Sequence, residues 1–365
     1  MVKIRSLLFL FLAGCCGPVA LGPNPDSLDL RGAQEEGEVT LYANLDKALA
    51  EEIGRAFQEA HGIRVVPFLG NNQEVLARLR KNPPDVLHLN DPGPFFELKE
   101  EGLLRPRQLQ TSAKVPAWLK DASNSWIAPR ATAALLVHRT QEEEKKAPKT
   151  WRELEGFKDR LVLPDPEGSV TSFYWSMTAV NLYGWDFLRG LAKNQLLIED
   201  VSPQALTLVA QGDRGAALAV EGDTAWQALQ RGEPLSLTFP KEGVPVVPAP
   251  AALIKGSPHP KAGELLLEFL LSDQVQKLFS LKGMYPSRAD IPPPKGLPAL
   301  EDVSLLQPNW ELVARRRSEL QKELRGALNL PPLEASPSVE RLSQAPDEQI
   351  ASRSPCSGLH FFGSS

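Results

Sequence analysis

The sequence predicts an α/β protein with two domains, each built on a mainly parallel sheet that helices cover. Short apolar runs alternate with amphipathic segments along most of the chain, which is the pattern of strand–helix–strand units. The chain has 365 residues, 42% of them hydrophobic, which is enough length and apolar content for two cores. The net charge of -5, without a long basic segment, argues against a nucleic-acid partner.

The N-terminal segment, residues 1–14, has the pattern of a secretion signal. Two basic residues precede an apolar run, residues 7–12, that is too short to span a membrane as a mature helix. The run ends in Leu-Ala-Gly-Cys, which resembles the bacterial lipobox, where cleavage precedes a cysteine that receives lipid. We therefore expect a lipid on Cys15, the alternative being an ordinary signal peptide cleaved near Ala20.

The segments on either side of the folded part are expected to be unstructured. Residues 15–37 are rich in Pro, Gly and acidic side chains and predict a flexible tether, and residues 329–365 lack hydrophobic periodicity and predict a disordered tail. The two remaining cysteines, Cys16 and Cys356, fall in these segments, so the sequence indicates no disulfide framework.

The first part of the folded chain alternates strictly between strands and helices. We expect strands at residues 39–42, 63–68 and 85–89, with helices between and after them. Ligands of parallel α/β sheets bind beyond the carboxyl ends of the strands. The polar residues that follow two of these strands, Asn44, Asp46, Asn90 and Asp91, are therefore site candidates, together with Tyr42 at the end of the first strand.

A strand followed by a helix start is predicted in the segment Thr150–Gly184. The apolar run at residues 161–163 is interrupted by prolines, and an apolar helix begins near Thr171. The unpaired N–H groups at such a helix start, with the hydroxyls of Ser169 and Thr171, suit an anionic or carbonyl oxygen. The alternative is that Ser169 or Thr171 only caps the helix.

The remaining elements complete the two domains. Apolar strands are expected at residues 131–138 and 216–220, and the loop after the second strand carries Glu221 and Asp223, with Trp226 in the next helix. A proline-rich segment, residues 244–253, returns the chain to the first domain, and an amphipathic helix spans residues 310–328.

In its order of motifs the chain resembles the bacterial extracellular solute-binding proteins of ABC transporters, in the branch that binds ferric iron, thiamine or phosphonates. The matching segments lie at residues 37–65, 83–104, 148–172, 212–220, 258–279 and 285–288. This resemblance implies the two-lobed type 2 fold of periplasmic binding proteins, with residues 38–130 and 249–328 in lobe 1 and residues 131–248 in lobe 2. It also implies a ligand cleft between the lobes and hinge closure around one solute.

The resemblance further implies a monomeric receptor in the periplasm or at the cell surface, held at the membrane by its lipid. Its partners would be the permease and ATPase of an importer. Ferric-binding members commonly carry two adjacent tyrosines where this sequence has Asp223 and Thr224, a histidine where it has Asp46, and a glutamate where it has Asp91. The arginines that can hold a companion anion are replaced by uncharged residues, and no arginine or lysine falls on the predicted cleft loops.

These departures predict a cationic solute, either ferric iron or a cationic metabolite, held by carboxylates with aromatic side chains beside them. No other cofactor is expected. The candidate ligand-binding residues are Tyr42, Asn44, Asp46, Asn90, Asp91, Ser169, Thr171, Glu221, Asp223, Trp226 and Tyr285, and the candidate metal ligands among them are Asp91, Glu221 and Asp223.

Three alternatives to this interpretation are open. The first is an anionic or phosphonate-type solute bound at the helix start of Ser169 and Thr171. The second is a lipid-anchored protein without a transport role. The third is an enzyme, which the sequence disfavours because it lacks a phosphate loop, a nucleophile elbow and a zinc-protease motif, and because its five histidines lack ligand spacing.

The lipobox-like ending predicts a lipid-modified mature N-terminus. The intact mass of protein extracted from membranes should correspond to a chain that begins at Cys15 and carries a diacylglyceryl group. A mature chain that begins after Cys16 would contradict this prediction.

Overall fold

The computed structural model describes residues 28–140, 148–157 and 160–331. The predicted signal peptide, Cys15, Cys16, Cys356 and the predicted tail from residue 332 lie outside these ranges. Within the described ranges, the chain forms a single curled sheet of mixed strand direction, with helices packed on it. None of the helices in this part of the chain combines the length and the apolar character needed to cross a membrane.

The helices and strands alternate as the sequence predicts. The strands are β1 (Glu38–Ala43), β2 (Arg64–Leu69), β3 (Val86–His88), β4 (Leu104–Arg105), β5 (Ile127–Arg139), β6 (Leu161–Pro164), β7 (Leu197–Glu199), β8 (Ala216–Glu221), β9 (Leu235–Thr238), β10 (Val244–Ile254), β11 (Tyr285–Pro286) and β12 (Leu305–Leu306). The α-helices are α1 (Leu30–Glu36), α2 (Lys47–His61), α3 (Asn72–Leu79), α4 (Gly93–Glu100), α5 (Val170–Tyr183), α6 (Trp185–Lys193), α7 (Ser202–Gln211), α8 (Gly222–Gln230), α9 (Pro260–Phe269), α10 (Asp273–Leu281), α11 (Trp310–Arg315) and α12 (Arg317–Ala327). Short 3₁₀ turns occur at Thr111–Lys114, Ala117–Leu119, Arg152–Gly156 and Leu300–Asp302.

Two long strands, β5 and β10, run through the whole sheet and join its two halves. In the first half, β1 lies between β2 and β3 in parallel, and β3 pairs antiparallel with the end of β10. In the second half, β6 lies between β7 and β8 in parallel, and β8 pairs antiparallel with the end of β5. Between these regions β5 and β10 pair with each other. Apart from a short parallel pair between β10 and β12, parallel pairing among the described residues therefore lies within the two halves of the sheet.

A short helix, α1, occupies part of the segment predicted to be a flexible tether, so that prediction is wrong for residues 30–36. The Asp29 carboxylate accepts a hydrogen bond from the N–H of Gly32 and caps the helix, and Ala33 is fully buried. The Glu36 carboxylate accepts hydrogen bonds from the first-turn N–H groups of α9, at Lys261 and Ala262. A helix of only two turns has too few apolar positions for a detectable sequence period, and its packing against α9 stabilises it.

The C-terminal helices do not belong to lobe 1 alone, contrary to the prediction. The predicted single helix is two helices, α11 and α12, with a break at Arg316. α11 packs on α4 of lobe 1, whereas α12 packs on α6 of lobe 2. Leu320 and Leu324 of α12 lie in the lobe 2 core with Phe187. We call residues 310–327 the C-terminal arm, because they contact both lobes.

The packing of the arm on lobe 2 predicts a large stability effect from a single core truncation. Leu324 is 2% exposed, so Leu324→Ala should lower the free energy of unfolding by about 2–4 kcal/mol through the cavity it creates. Leu312 of the same arm is 50% exposed, and Leu312→Ala should change the stability by less than about 0.5 kcal/mol. Urea unfolding of both variants measures the difference, and equal midpoints would contradict the docking of α12.

Candidate functional site

A polar cleft of about 510 Å³ lies between the two lobes, beyond the carboxyl ends of β1, β2 and β3. Lobe 1 forms one wall, α5 and the loop before it form the opposite wall, and the C-terminal arm closes one side. The residues that line the cleft are Asn44, Asn71, Asn72, Gln73, Leu76, Asn90, Asp91, Gly93, Pro94, Glu97, Glu167, Gly168, Val170, Arg317 and Gln321.

The N-termini of three helices, α3, α4 and α5, meet at this cleft. The Asn71 side chain caps α3 by accepting from the N–H of Glu74, and the Ser169 hydroxyl caps α5 by accepting from the N–H of Ser172. The N–H groups of a first helical turn lack intrahelical partners and carry a partial positive charge. These three helix starts add partial positive charge to a cavity that is also lined by the carboxylates of Asp91, Glu97 and Glu167.

Asp91, at the end of β3, joins the two lobes and the C-terminal arm. Its Oδ1 atom accepts a hydrogen bond from the N–H of Gly93 at 2.9 Å and another from the hydroxyl of Tyr174, on α5, at 2.9 Å. Its Oδ2 atom accepts one from Nη1 of Arg317, on α12, at 2.5 Å. Because Asp91 is 3% exposed, its negative charge is compensated by Arg317 rather than by water.

The groups that hold Asp91 are themselves fixed by aromatic contacts. The Tyr174 ring makes an edge contact with Trp310 of the arm, with 4.8 Å between ring centroids. Burial, and then the neighbouring Asp91 carboxylate, raise the pKa of the Tyr174 hydroxyl well above its usual value, so it stays a neutral donor. The guanidinium carbon of Arg317 lies 4.6 Å from the centroid of the Phe173 ring.

An amide pair forms part of the lobe 1 wall. The Asn72 side chain donates from Nδ2 to Oδ1 of Asn90 at 2.9 Å. The Oδ1 atom of Asn72 is buried and has no hydrogen-bond partner within the described part of the chain. A buried amide oxygen of this kind is an acceptor for a donor that a solute or a water would bring.

A second polar cluster lies at the hinge, next to Asn44. Arg130, on β5, donates from Nε to Nε2 of His88 at 3.3 Å and from Nη2 to the backbone oxygen of Asn44 at 3.5 Å. His88 Nδ1 lies 2.9 Å from the carbonyl oxygen of Pro250, which fixes the ring as a donor to that oxygen and an acceptor from Arg130. Burial, and then the charge of Arg130, lower the pKa of His88 to about 3, so it is neutral at physiological pH. Burial also raises the pKa of the nearby Asp223 carboxyl.

The structure brings part of the predicted set together. Asn44, Asn90 and Asp91 line the cleft, and Ser169 follows the lining residue Gly168. The Ser169 hydroxyl donates to Oε1 of Glu221 at 2.6 Å, and Ser202 donates to the other oxygen of the same carboxylate.

The other predicted residues lie outside the cleft lining. Asp46 is exposed and caps α2 by accepting from the N–H of Leu49. Tyr42 packs on Phe68 and its hydroxyl accepts from Arg78. The side chains of Thr171, Asp223, Trp226 and Tyr285 also lie outside the lining.

Three of these four side chains make hydrogen bonds outside the cleft lining, and the Tyr285 hydroxyl is buried without a hydrogen-bond partner within the described residues. The Thr171 hydroxyl donates to the carbonyl oxygen of Ala219, and the Asp223 carboxylate accepts from Thr132. Trp226 donates from its indole N–H to the carbonyl oxygen of Lys295. Tyr285 lies in β11, beside a separate apolar pocket.

The predicted metal ligands do not form a metal centre. Within the described residues, no group of three or more His, Cys, Asp or Glu side chains is placed to hold a metal ion. Asp91 is paired with Arg317, Glu221 with two serine hydroxyls, and Asp223 lies at the hinge with Arg130 and Thr132. The sequence placed these three carboxylates in one cleft, but their own hydrogen-bond partners separate them.

The sequence analysis missed several residues that form the cleft. Asn72 and Gln73 follow β2, so the rule that placed the site after β1 and β3 could have found them too. Arg317 and Gln321 lie on the C-terminal arm, whose position depends on tertiary packing alone. The expectation that the cleft lacks an arginine is therefore wrong.

Comparisons with known proteins agree with this architecture. Residues 38–285 match the model of a family described as bacterial extracellular solute-binding protein. A periplasmic protein of Salmonella typhimurium named for 2-aminoethylphosphonate binding is 28% identical over 280 residues, which are 71% of this chain and 81% of that protein. The iron uptake protein A1 of Synechocystis is 23% identical over 300 residues, 74% of this chain and 81% of its own.

Solved structures show the same fold. Iron-bound HitA from Pseudomonas aeruginosa superposes with a TM-score of 0.69 at 23% identity, over 79% of this chain and 99% of its own. AfuA from Actinobacillus pleuropneumoniae, with fructose-6-phosphate bound, gives a TM-score of 0.69 at 18% identity, over 81% of this chain and 99% of its own.

The buried neutral His88 predicts a pH-dependent contribution to stability. The unfolded chain takes up a proton on this imidazole below about pH 6.5 and the native state does not until about pH 3, so acid favours unfolding. Between pH 6.5 and pH 4 the loss from this group should approach about 3 kcal/mol, at about 1.4 kcal/mol per pH unit. His88→Gln should flatten the pH dependence of the urea midpoint over that range, whereas parallel curves for parent and variant would contradict the prediction.

Proposed function

Because this chain belongs to the bacterial extracellular solute-binding protein family, we propose that its cleft holds a small zwitterion that carries a phosphonate-type anionic group and an amine. The chain is a solute-binding receptor of an ABC importer, a transport role that involves no chemical reaction. The proposal concerns the class of solute that this receptor delivers to its permease.

The observation that carries the proposal is the meeting of three helix N-termini at one cleft. The first turns of α3, α4 and α5 contribute lining residues, and each helix start carries a partial positive charge. At α4 the N–H of Gly93 is already bound by Asp91 and Pro94 has none, so the backbone donors come from α3 and α5. Phosphonate and phosphate oxygens are suitable acceptors for such groups, since they carry negative charge and accept several hydrogen bonds at once. The same partial charges favour the anionic group of a solute over a bare metal cation at the helix starts.

The charged side chains of the cleft favour a solute that also has a positive group. Asp91 is neutralised by Arg317, and Glu167 is paired with Arg325. Glu97 makes no ion pair within the described residues and lies exposed at the rim of the cleft. Its carboxylate is therefore available to an ammonium group of a solute whose anionic end sits at the helix starts.

The relatives support a phosphonate over a ferric ion as the solute. The relative that is named for 2-aminoethylphosphonate is 28% identical to this chain, and the one named for iron uptake is 23% identical. The described carboxylates lack the grouping that a ferric ion requires of its ligands. The anionic alternative of the sequence analysis is thus preferred, although its site involves three helix starts and not α5 alone.

We also propose how the receptor moves and where it resides. The crossing strands β5 and β10 are continuous near Arg130 and Pro248, where hinge closure would bend them. The relative named for 2-aminoethylphosphonate binding is a periplasmic protein, which supports a periplasmic location for this chain. Lipid on Cys15 would hold the monomeric receptor at the membrane surface, close to the permease and ATPase.

The proposed function predicts binding of 2-aminoethylphosphonate. This solute should raise the thermal midpoint of the parent protein by mass action and give a measurable dissociation constant by calorimetry. Glu97→Gln should weaken its binding about two- to fivefold, because one exposed ion pair with the amine is lost. Ethylphosphonate, which lacks the amine, should bind the parent and this variant equally.

A matched control separates the site from general charge effects. Glu59, on α2, is also exposed and lies outside the cleft, so Glu59→Gln should leave both affinities unchanged. A parent protein that binds ferric iron or a polyamine but no phosphonate would refute the proposed solute class.

A further inference from the structure

We infer that Arg317 is a specificity-determining residue that binds the anionic end of the solute, so that the C-terminal arm forms part of the recognition site. This inference rests on the proposed function. It assigns a role to a residue beyond the segment that matches the family model, which ends at residue 285.

Arg317 lines the same cleft as the first residues of α4. The residue begins α12 and lies beside the N-terminus of α4. Its Nη1 atom lies 3.2 Å from the position that a Cβ atom on Gly93 would occupy. Its charge therefore adds to the positive potential of the α4 helix start at the same wall of the cavity. A solute anion drawn to that helix start would meet the guanidinium as well.

The guanidinium of Arg317 is held in place before a solute binds. Asp91 fixes Nη1, and the Phe173 ring packs against the guanidinium plane. Asp91 also accepts hydrogen bonds from the Gly93 N–H and the Tyr174 hydroxyl, so three donors fix the position of its carboxylate. A donor with fixed orientation loses little conformational entropy when it binds an acceptor.

Arg317 has more N–H donors than its contact with Asp91 uses. An arginine has five N–H donors, and the contact with Asp91 uses one nitrogen of the fork. The Tyr174 hydroxyl also contacts the guanidinium, which leaves part of the fork for a further acceptor. The side chain lines the cleft and is 24% exposed. Two oxygens of a phosphonate match this part of the fork, as they match arginine in other anion sites.

Arg317 also affects which charge a solute group can carry beside Asp91. Without Arg317, the buried Asp91 would stand without a cation at the helix starts, and the cleft would favour a positive group there. With Arg317 in place, the same wall accepts a negative group. One side chain from the arm therefore sets the sign of the solute group that binds against lobe 1.

The experiment compares two solutes and three variants by calorimetry at fixed pH and ionic strength. The probes are 2-aminoethylphosphonate and β-alanine, which share an amine and differ in the anionic group. Arg317→Gln should weaken binding of 2-aminoethylphosphonate at least about thirtyfold and that of β-alanine much less, because a doubly charged group depends more on the fork. Arg317→Lys should lie between parent and Arg317→Gln, since it keeps the charge without the fork.

The neighbouring Arg316 provides the matched control. It pairs with Glu319 on the exposed face of the same helix, so Arg316→Gln should bind both probes as the parent does. Urea unfolding of each variant reports on folding, and Arg317→Lys supplies the test if Arg317→Gln does not fold.

The outcomes separate the inference from the proposed function. If the parent binds 2-aminoethylphosphonate and Arg317→Gln binds it equally well, the inference is overturned and the proposed function stands. An equal loss of affinity for both probes, together with a lower urea midpoint, would show that Arg317 only supports the fold. A parent that binds no phosphonate would overturn both.

Discussion

The arrangement of the two lobes and the C-terminal arm depends on one buried carboxylate, that of Asp91. It accepts hydrogen bonds from lobe 1, from lobe 2 and from the C-terminal arm, at Gly93, Tyr174 and Arg317. A carboxylate that is 3% exposed needs compensation for the water it has lost, and these three donors supply it. Because each donor comes from a different part of the chain, the relative placement of those parts follows from the need to satisfy one charge.

Most of the fold could be predicted from local patterns in the sequence. The helix of residues 47–61 shows an apolar residue every fourth position and ends at Gly62, whose φ of 72° explains the stop. Strand β5 is buried from Ile127 to His138 and contains the mostly apolar run of residues 131–138 that predicts it. The two errors, α1 and the C-terminal arm, are short or amphipathic helices whose place is decided by distant partners, Lys261 and the α6 surface. Such contacts leave no periodic signal in the sequence.

Only the site residues that come soon after the end of a strand could be predicted from the sequence. Asn44, Asn90 and Asp91 follow their strands directly and line the cleft, as the rule for parallel sheets requires. The same rule failed for Asp46, because its carboxylate caps the helix that begins one residue later. It gave no information on how Asp91 is neutralised, since Arg317 lies 226 residues away along the chain. Residue types indicated a negatively charged cleft, and only tertiary pairing shows which charges remain available.

The position of Arg317 near the end of the described chain affects the order in which a working receptor is completed. Both lobes can form their sheets from residues that precede α11, but Asp91 finds its cation only after α12 has been synthesised and has docked. In a chain that lacks α12 through premature termination or proteolysis, the Asp91 carboxylate would lose its cation at the lobe interface, which would oppose the proposed closure by several kcal/mol. Under the proposed function, solute capture would therefore depend on the integrity of the C-terminal arm.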